Sequence, residues 1–361
     1  TGGADSDAID IFDAADAVES GEEEISVPET QTPSFEKGLI IPENSILCFP
    51  HNTDPPQYNC NHHGSTVIEL PDKSIAAVWY HGVAEKSPDS RIIWSKWSPA
   101  TGKWSQPEML FDDPYRSEGN PALWVNEKGD FFLFFPSIYG GTWDTAKVRM
   151  IKSADGGKSW SEPVTLYDEY CWNARHEPLR LANGDILLPL YIECLALPSF
   201  IRSSDDFKTW TVHDELTPEY FLDHTGQIQP SLILLEDGIV AAITRDGLQT
   251  NRIKRMTSSD NGYTWTPSVP LGLPNSGTSV DWVRLMDGSV VVVFNNSPDS
   301  RFPLSAALSH DGGETFSAIR DVNAECPGGG CSYAYPSVTQ SSLDGSIWVT
   351  YTHNPRLRAF Q

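Results

Sequence analysis

The chain has 361 residues, with 25 Lys and Arg against 49 Asp and Glu, and a formal net charge of −24 at pH 7. That excess of negative charge argues against nucleic acid or an anionic membrane as partner. Apolar runs such as Phe131–Phe135 and Val290–Phe294 are strand-sized, far below the ~18 residues of a membrane span.

Residues 1–35 carry ten Asp or Glu and no Lys or Arg before position 30, which predicts an acidic tail or linker. Weak periodicity over Asp7–Val18 predicts a short surface helix within it. The remainder, 36–361, reads as one all-β domain, beginning with strand-like Gly38–Phe49. From His62 onward, an apolar strand, a two-residue turn and a second apolar strand recur six times. The turns are Asp72-Lys73, Lys128-Gly129, Asn183-Gly184, Asp237-Gly238, Asp287-Gly288 and Asp344-Gly345. Such pairs between apolar runs are hairpin signals.

Between the hairpins a second motif repeats. Ser153-Ala-Asp-Gly-Gly-Lys-Ser-Trp160 has counterparts at Ser203–Trp210 (without the glycine), Ser258–Trp265 and Ser309–Phe316. Ser98–Trp104 is a shortened relative. The closing aromatics fall at 104, 160, 210, 265 and 316, a period of 50 to 56 residues. A period of that size marks a propeller or solenoid. Hairpins and boxes together predict a six-bladed propeller of four-stranded antiparallel blades. Pro336–Gln340, Ser346–Thr352 and Leu357–Phe360 supply the last blade, and Gly38–Phe49 closes the ring.

The six cysteines suit an oxidising, extracellular compartment. Cys171 and Cys194 lie symmetrically about Asn183-Gly184, so they face each other across one hairpin. Cys326 and Cys331 close a small loop, leaving Cys48 with Cys60. No Cys-x-x-Cys motif suggests zinc, and no nucleotide-binding motif is present. No cofactor or metal is called for, although loop carboxylates leave room for structural calcium. Asn295-Asn-Ser297 is an N-glycosylation sequon.

Strand parity locates a ligand face. In four-stranded antiparallel blades, the hairpin turns and the boxes share one face. The opposite face gathers the starts of the inner strands and the ends of the second strands around the axis, where propeller ligands bind. Inner-strand starts place there His62, His63, Asn120, Arg175, His176, Gln227, Gln229, Asp281, Tyr333 and Tyr335. Second-strand ends add Tyr80, His81, Tyr139, Glu193, Arg245, Arg301 and His353. Three arginines at one mouth of an acidic protein point to an anionic ligand, and planar guanidinium forks suit a carboxylate.

The boxes and their spacing are the hallmark of sialidase-like propellers. From about His62 to its end the chain resembles that superfamily, most of all the branch of BNR-repeat, sialidase-like proteins that are not typical sialidases. The resemblance implies substrate-binding arginines at Arg245 and Arg301, with Tyr335 in the nucleophile's motif. It departs at the first arginine, whose Arg-Ile-Pro motif is missing. Gln227 or Gln229 stands where a helper Glu belongs, and an amide cannot accept the tyrosine's proton. Glu85 or Asp89 stands in for the acid/base, with Asp89 the choice. His63 begins the first inner strand as in the related branch, where a rim histidine cleaves rhamnose–glucuronate linkages.

The expected catalytic set is therefore His63, Tyr335 and Asp89. The expected binding set is Arg175, His176, Arg245, Arg301, Gln227, His81 and Tyr333. The implied protein is a secreted enzyme acting on an acidic glycan, cleaving a terminal linkage at or next to a carboxylated sugar. A uronate lyase and a non-catalytic glycan-binding or structural propeller are the alternatives.

Overall fold

The computed structural model describes residues 61–212, 217–248 and 250–353, together with the two-residue strand Ala8–Ile9. The described chain is an all-β propeller of antiparallel sheets. Blade one runs from Asn61–Glu69 to Glu108–Phe111, and blade two from Ser117–Glu118 to Val164–Thr165. Blade three runs from Trp172–Ala174 to Thr211–Val212. Blade four spans Gln227–Leu234 to Val269–Pro274, and blade five Asp281–Arg284 to Ala318–Asn323. Tyr333–Gln340 and Ile347–His353 form a smaller last sheet, whose third strand is Ala8–Ile9.

The repeat predicts six four-stranded blades; the described residues hold five blades of four or five strands and this three-stranded remainder. Leu357–Phe360 and Gly38–Phe49, expected to complete the ring, lie outside the described residues, as do Cys48, Cys60 and the boundary of the acidic tail. The strand beside Ile347–His353 comes from within that tail, at a position where periodicity suggests helix. Blades one to three have a fifth strand because proline interrupts one of four. Pro107 splits the outer strand of blade one, and Pro121 and Pro178 split the inner strands of blades two and three.

Apolar cores lie between successive sheets. Phe134, Leu188 and Phe207 join blades two and three; Ile243, Trp282 and Phe294 join blades four and five. The first blade also meets the last sheet directly. Val67, Ile75 and Trp348 pack together, and the Val67 amide donates to Ser337 Oγ at 3.1 Å. The cysteines pair as expected, Cys171 with Cys194 and Cys326 with Cys331.

The boxes share one hydrogen-bond pattern. Asp155 Oδ1 accepts from the amides of Lys158 and Ser159 at 3.0 and 2.9 Å, and Ser153 Oγ accepts from the Gly157 amide at 2.9 Å. Asp205, Asp260 and Asp311 repeat it. Gly157 sits at φ +87°, and a Cβ there would lie 2.5 Å from the Trp94 ring of blade one. The box without glycine resolves the same turn differently. Phe207 accepts the left-handed φ of +57° and sends its ring into the core, 4.8 Å from Phe134. The strain costs roughly 1–3 kcal/mol, against about 1.5–3 kcal/mol for burying an aromatic side chain.

Candidate active site

The mouth is shaped by a repeated bulge in the inner strands. Register breaks occur between His63 and Thr66, between Ile228 and Ser231, and between Ala334 and Ser337. At these breaks Gly64, Gln229 and Tyr335 take φ values of +64°, +55° and +55°. Asn120 does the same in blade two at +38°. Gln229, Tyr335 and Asn120 each precede a proline, whose ring bars them from the right-handed helical region. A bulge re-aims a side chain, and those of Gln229 and Tyr335 meet at Arg245. Blade one uses glycine because a Cβ on Gly64 would lie 2.7 Å from Asn120 Oδ1 and 2.8 Å from the Tyr80 ring.

Tyr335 is the centre of the resulting cluster. The guanidinium carbons of Arg175, Arg245 and Arg301 lie 5.3, 5.8 and 5.7 Å from its ring centre. The His63 ring is 4.2 Å away. Arg245 Nη1 donates to Tyr335 Oη at 3.0 Å and to Gln229 Oε1 at 3.4 Å. Gln229 Nε2 reaches Tyr191 Oη at 3.5 Å. Arg301 is part-exposed, and among the described residues no carboxylate pairs with its guanidinium. His63 Nδ1 is held by Thr352 Oγ1 at 2.8 Å. Burial, reinforced by the charges of Arg301, Arg175 and Arg245, lowers the imidazole's pKa to about 3. The ring is therefore neutral at any ordinary working pH.

Arg175 has a different task from its neighbours. It is 1 % exposed. Nη1 donates to Ser65 O at 2.9 Å, Nη2 to Tyr335 O and Pro336 O at 3.1 and 3.0 Å, and Nε to Ser279 Oγ at 3.2 Å. One side chain from blade three thus clasps the bulges of blade one and the last sheet and the start of blade five. Its fork is occupied by the protein's own carbonyls, so it holds Tyr335 in place rather than presenting charge to a ligand. Beside it, His176 Nδ1 lies 3.3 Å from Asp281 Oδ1, both fully buried. Asp281 also accepts from Ser231 Oγ and the Val338 amide at 2.6 and 2.9 Å. Burial near Asp281 pushes the Glu177 carboxyl up.

The other expected residues sit elsewhere. Gln227 is turned away, its Oε1 accepting from Thr244 Oγ1 at 2.9 Å, so the amide beside Arg245 is Gln229. His81 packs against His62, ring centres 4.6 Å apart and tilted by 32°, in a group with Trp79. Tyr333 packs in a core with Phe302 and Tyr351 and donates its hydroxyl to Glu325 O. Asp89 closes its own loop, accepting from the Val83 amide at 3.0 Å and from Ser87 Oγ. From the same loop, Glu85 reaches across to accept from Trp143 Nε1 at 2.7 Å. Asn295, in the sequon, is fully buried and donates to Tyr333 O at 2.9 Å, so no glycan can be carried there.

Tyr191 and Trp143 went unnoticed in the sequence. Tyr191 was within reach of pattern reading, since it lies near the end of the second strand of blade three, much as Tyr80 does in blade one. Trp143 lies in an irregular turn and offered no such signal. Among the described residues no set of three His, Cys, Asp or Glu side chains is gathered as a metal site.

Boxed turns on one face and a cationic, tyrosine-centred mouth on the other define a sialidase-like propeller. The chain matches the family model described as a BNR repeat-like domain over residues 73–349, and it belongs to that family. A sialidase of Bacteroides fragilis (strain YCH46) is 24% identical over 231 residues, covering 58% of this chain and 41% of that protein. The chain thus spans less than half the length of that relative. Among solved structures, a protein of unknown function from Dyadobacter fermentans superposes with a TM-score of 0.67 at 19% identity, covering 82% of this chain and 92% of the other. The Hadza microbial sialidase Hz136 gives a TM-score of 0.64 at 17% identity, covering 83% and 66%. At these identities the structural likeness is one of fold.

Proposed function

We propose that the chain is an exported glycoside hydrolase of the sialidase type that removes a terminal, carboxylate-bearing sugar from a glycan. The observation that carries this reading is the convergence of Arg245, Arg301 and His63 on Tyr335 in a protein of net charge −24. Arg245 and Arg301 would clamp the carboxylate, and the disulfides support an oxidising compartment.

In this reading Tyr335 Oη attacks the anomeric carbon as the glycosidic C–O bond breaks. Glu85 protonates the leaving oxygen. The phenol's proton cannot pass to Gln229, so it passes to His63, whose basicity rises as the substrate carboxylate offsets the Arg245 and Arg301 charges that otherwise hold the imidazole down. Glu85 then deprotonates a water that attacks the anomeric carbon. The C–O bond to Tyr335 breaks, and His63 returns the proton.

Gln229 favours a second reading, because hydrolysis would ordinarily use a carboxylate there. In uronate elimination the arginines neutralise the carboxylate, His63 or Tyr335 removes the C5 proton, and the leaving oxygen is protonated, leaving an unsaturated sugar. A panel of glycans ending in sialic, glucuronic or galacturonic acid separates the cases. New reducing ends without near-ultraviolet absorbance support hydrolysis; a rise in that absorbance moves the assignment to elimination. Binding without turnover, unchanged in Tyr335→Phe, would sink both.

A further inference from the structure

A second aromatic group lies on the same face, over blade two. Tyr139 follows the strand Phe131–Ile138, and Tyr170 stands in the connection to blade three. They are 38% and 53% exposed, with ring centres 6.0 Å apart. Lys147 Nζ lies 4.6 Å from the Tyr170 ring and 5.4 Å from that of Tyr139; Arg116 lies 4.4 Å from Tyr139. Lys147 is paired with Asp168 at 2.6 Å; Arg116 shares Asp113 with Arg149, at 2.7 and 3.0 Å, and exposed Glu169 adds a carboxylate beside Tyr170. The patch therefore offers two partly exposed rings with N–H donors over them and carboxylates beside them, the charges of the two signs close to balance. That combination suits the C–H face and hydroxyls of an uncharged pyranose better than an anion.

The patch is braced and tied to the loop that carries Glu85. Cys171, next to Tyr170, is bridged to Cys194, and its sulfur also contacts Asp144 O at 3.2 Å. Asp144 belongs to the turn Trp143–Thr145, and Trp143 donates to Glu85 at 2.7 Å. A general acid stands beside the leaving oxygen, so the surface beyond Glu85 is the leaving-group side. We propose that Tyr139 and Tyr170 form a binding site for the neutral sugars that follow the carboxylated terminus of the glycan. The assignment of side rests on Glu85 as the acid; the binding itself does not require turnover.

The test compares free N-acetylneuraminic and glucuronic acids with trisaccharides ending in each, titrated calorimetrically onto the whole chain. The trisaccharide that binds should do so at least about fivefold more tightly than its free terminal sugar, the scale of one aromatic contact. Tyr139→Ala and Tyr170→Ala should each erase most of that advantage and leave binding of the free acid unchanged. Tyr263→Ala is the control. It is an exposed tyrosine under Arg202, 4.0 Å away, on the box face, and its loss should change nothing. Equal binding of trisaccharide and free acid, absence of any trisaccharide binding, or retention of the advantage in both variants overturns the proposal. The advantage without turnover would leave this site standing while the hydrolase reading falls. Turnover without the advantage would do the reverse.

Discussion

The two faces of this propeller are built on opposite terms. On the box face, four turns repeat one hydrogen-bond pattern, and side chains satisfy amides within a few residues of themselves. A cleft there, between the blade-two hairpin and the second box, holds ion pairs of Lys128 with Asp206 at 2.8 Å and Arg180 with Glu127 at 3.4 Å. At the mouth the bulge recurs, but what it presents differs from sheet to sheet: Gly64 in blade one, Gln229 in blade four and Tyr335 in the last sheet. A fully buried arginine serves three other sheets, and burial with arginine charge holds an imidazole neutral. Local and repeated contacts stabilise the fold; non-local and unrepeated ones shape the site. Strain of this kind collects where a site needs side chains re-aimed.

The largest expected effect tests whether the mouth depends on its clasp. Arg175→Met removes four donated hydrogen bonds and leaves the carbonyls of Ser65 and of buried Tyr335 and Pro336 without that donor. A loss of about 3–5 kcal/mol in urea unfolding is expected. Arg245→Ala, by contrast, should lower turnover about a hundredfold with the unfolding midpoint nearly unmoved. If Arg175→Met unfolds at the same urea concentration as the parent, Arg175 is not a clasp.

A second effect concerns pH. Glu118 begins the inner strand of blade two, 1% exposed, and accepts from the Asp113 amide and Ser137 Oγ, both at 3.3 Å. Burial raises its carboxyl to about 9 despite those bonds, with Asp113 adding to the rise. A raised folded-state value means the native protein holds its proton more tightly than the unfolded chain. Stability from this group is thus full below about pH 4.5 and is lost as pH rises toward 9. Glu118→Gln should flatten the decline between pH 5 and 9, by on the order of a few kcal/mol. Parallel pH–stability curves for parent and variant would refute the assignment.

How much of this was legible follows the same division. The boxes, hairpin turns and both described disulfides could be read because each is local and periodic. Parity of strands brought His63, Tyr335, Arg245 and Arg301 to one mouth. It could not choose between Gln227 and Gln229, because the bulge at Gln229-Pro230 breaks the alternation that parity relies on. Loop carboxylates had no period at all, so Asp89 and Glu85 were distinguishable only through the loop's own hydrogen bonds. Arg175 looked like a ligand for carboxylate because its true partners are backbone carbonyls, which no side-chain pattern reveals. Asp260→Ala probes the legible half. Losing the oxygens that bind the amides of Tyr263 and Thr264 should cost about 1–2 kcal/mol with turnover unchanged.

The smallest effect asks whether the mouth is tuned as well as assembled. Thr352 lies in the last sheet, and its hydroxyl meets His63 Nδ1 at 2.8 Å. Which ring nitrogen of a histidine carries its proton is set by the hydrogen bond the other makes. Thr352→Val keeps the shape and removes that bond, so His63 can rotate or change tautomer beside Tyr335. Turnover should fall about three- to tenfold at constant KM, since nothing that binds the carboxylate has moved. Thr352→Ser should restore it, because the hydroxyl rather than the methyl group is what His63 uses. The packing of Thr352 alone would give the opposite ranking, with valine tolerated and serine not. Unchanged turnover in both variants would mean that His63 carries no proton in the reaction and only packs against the tyrosine ring.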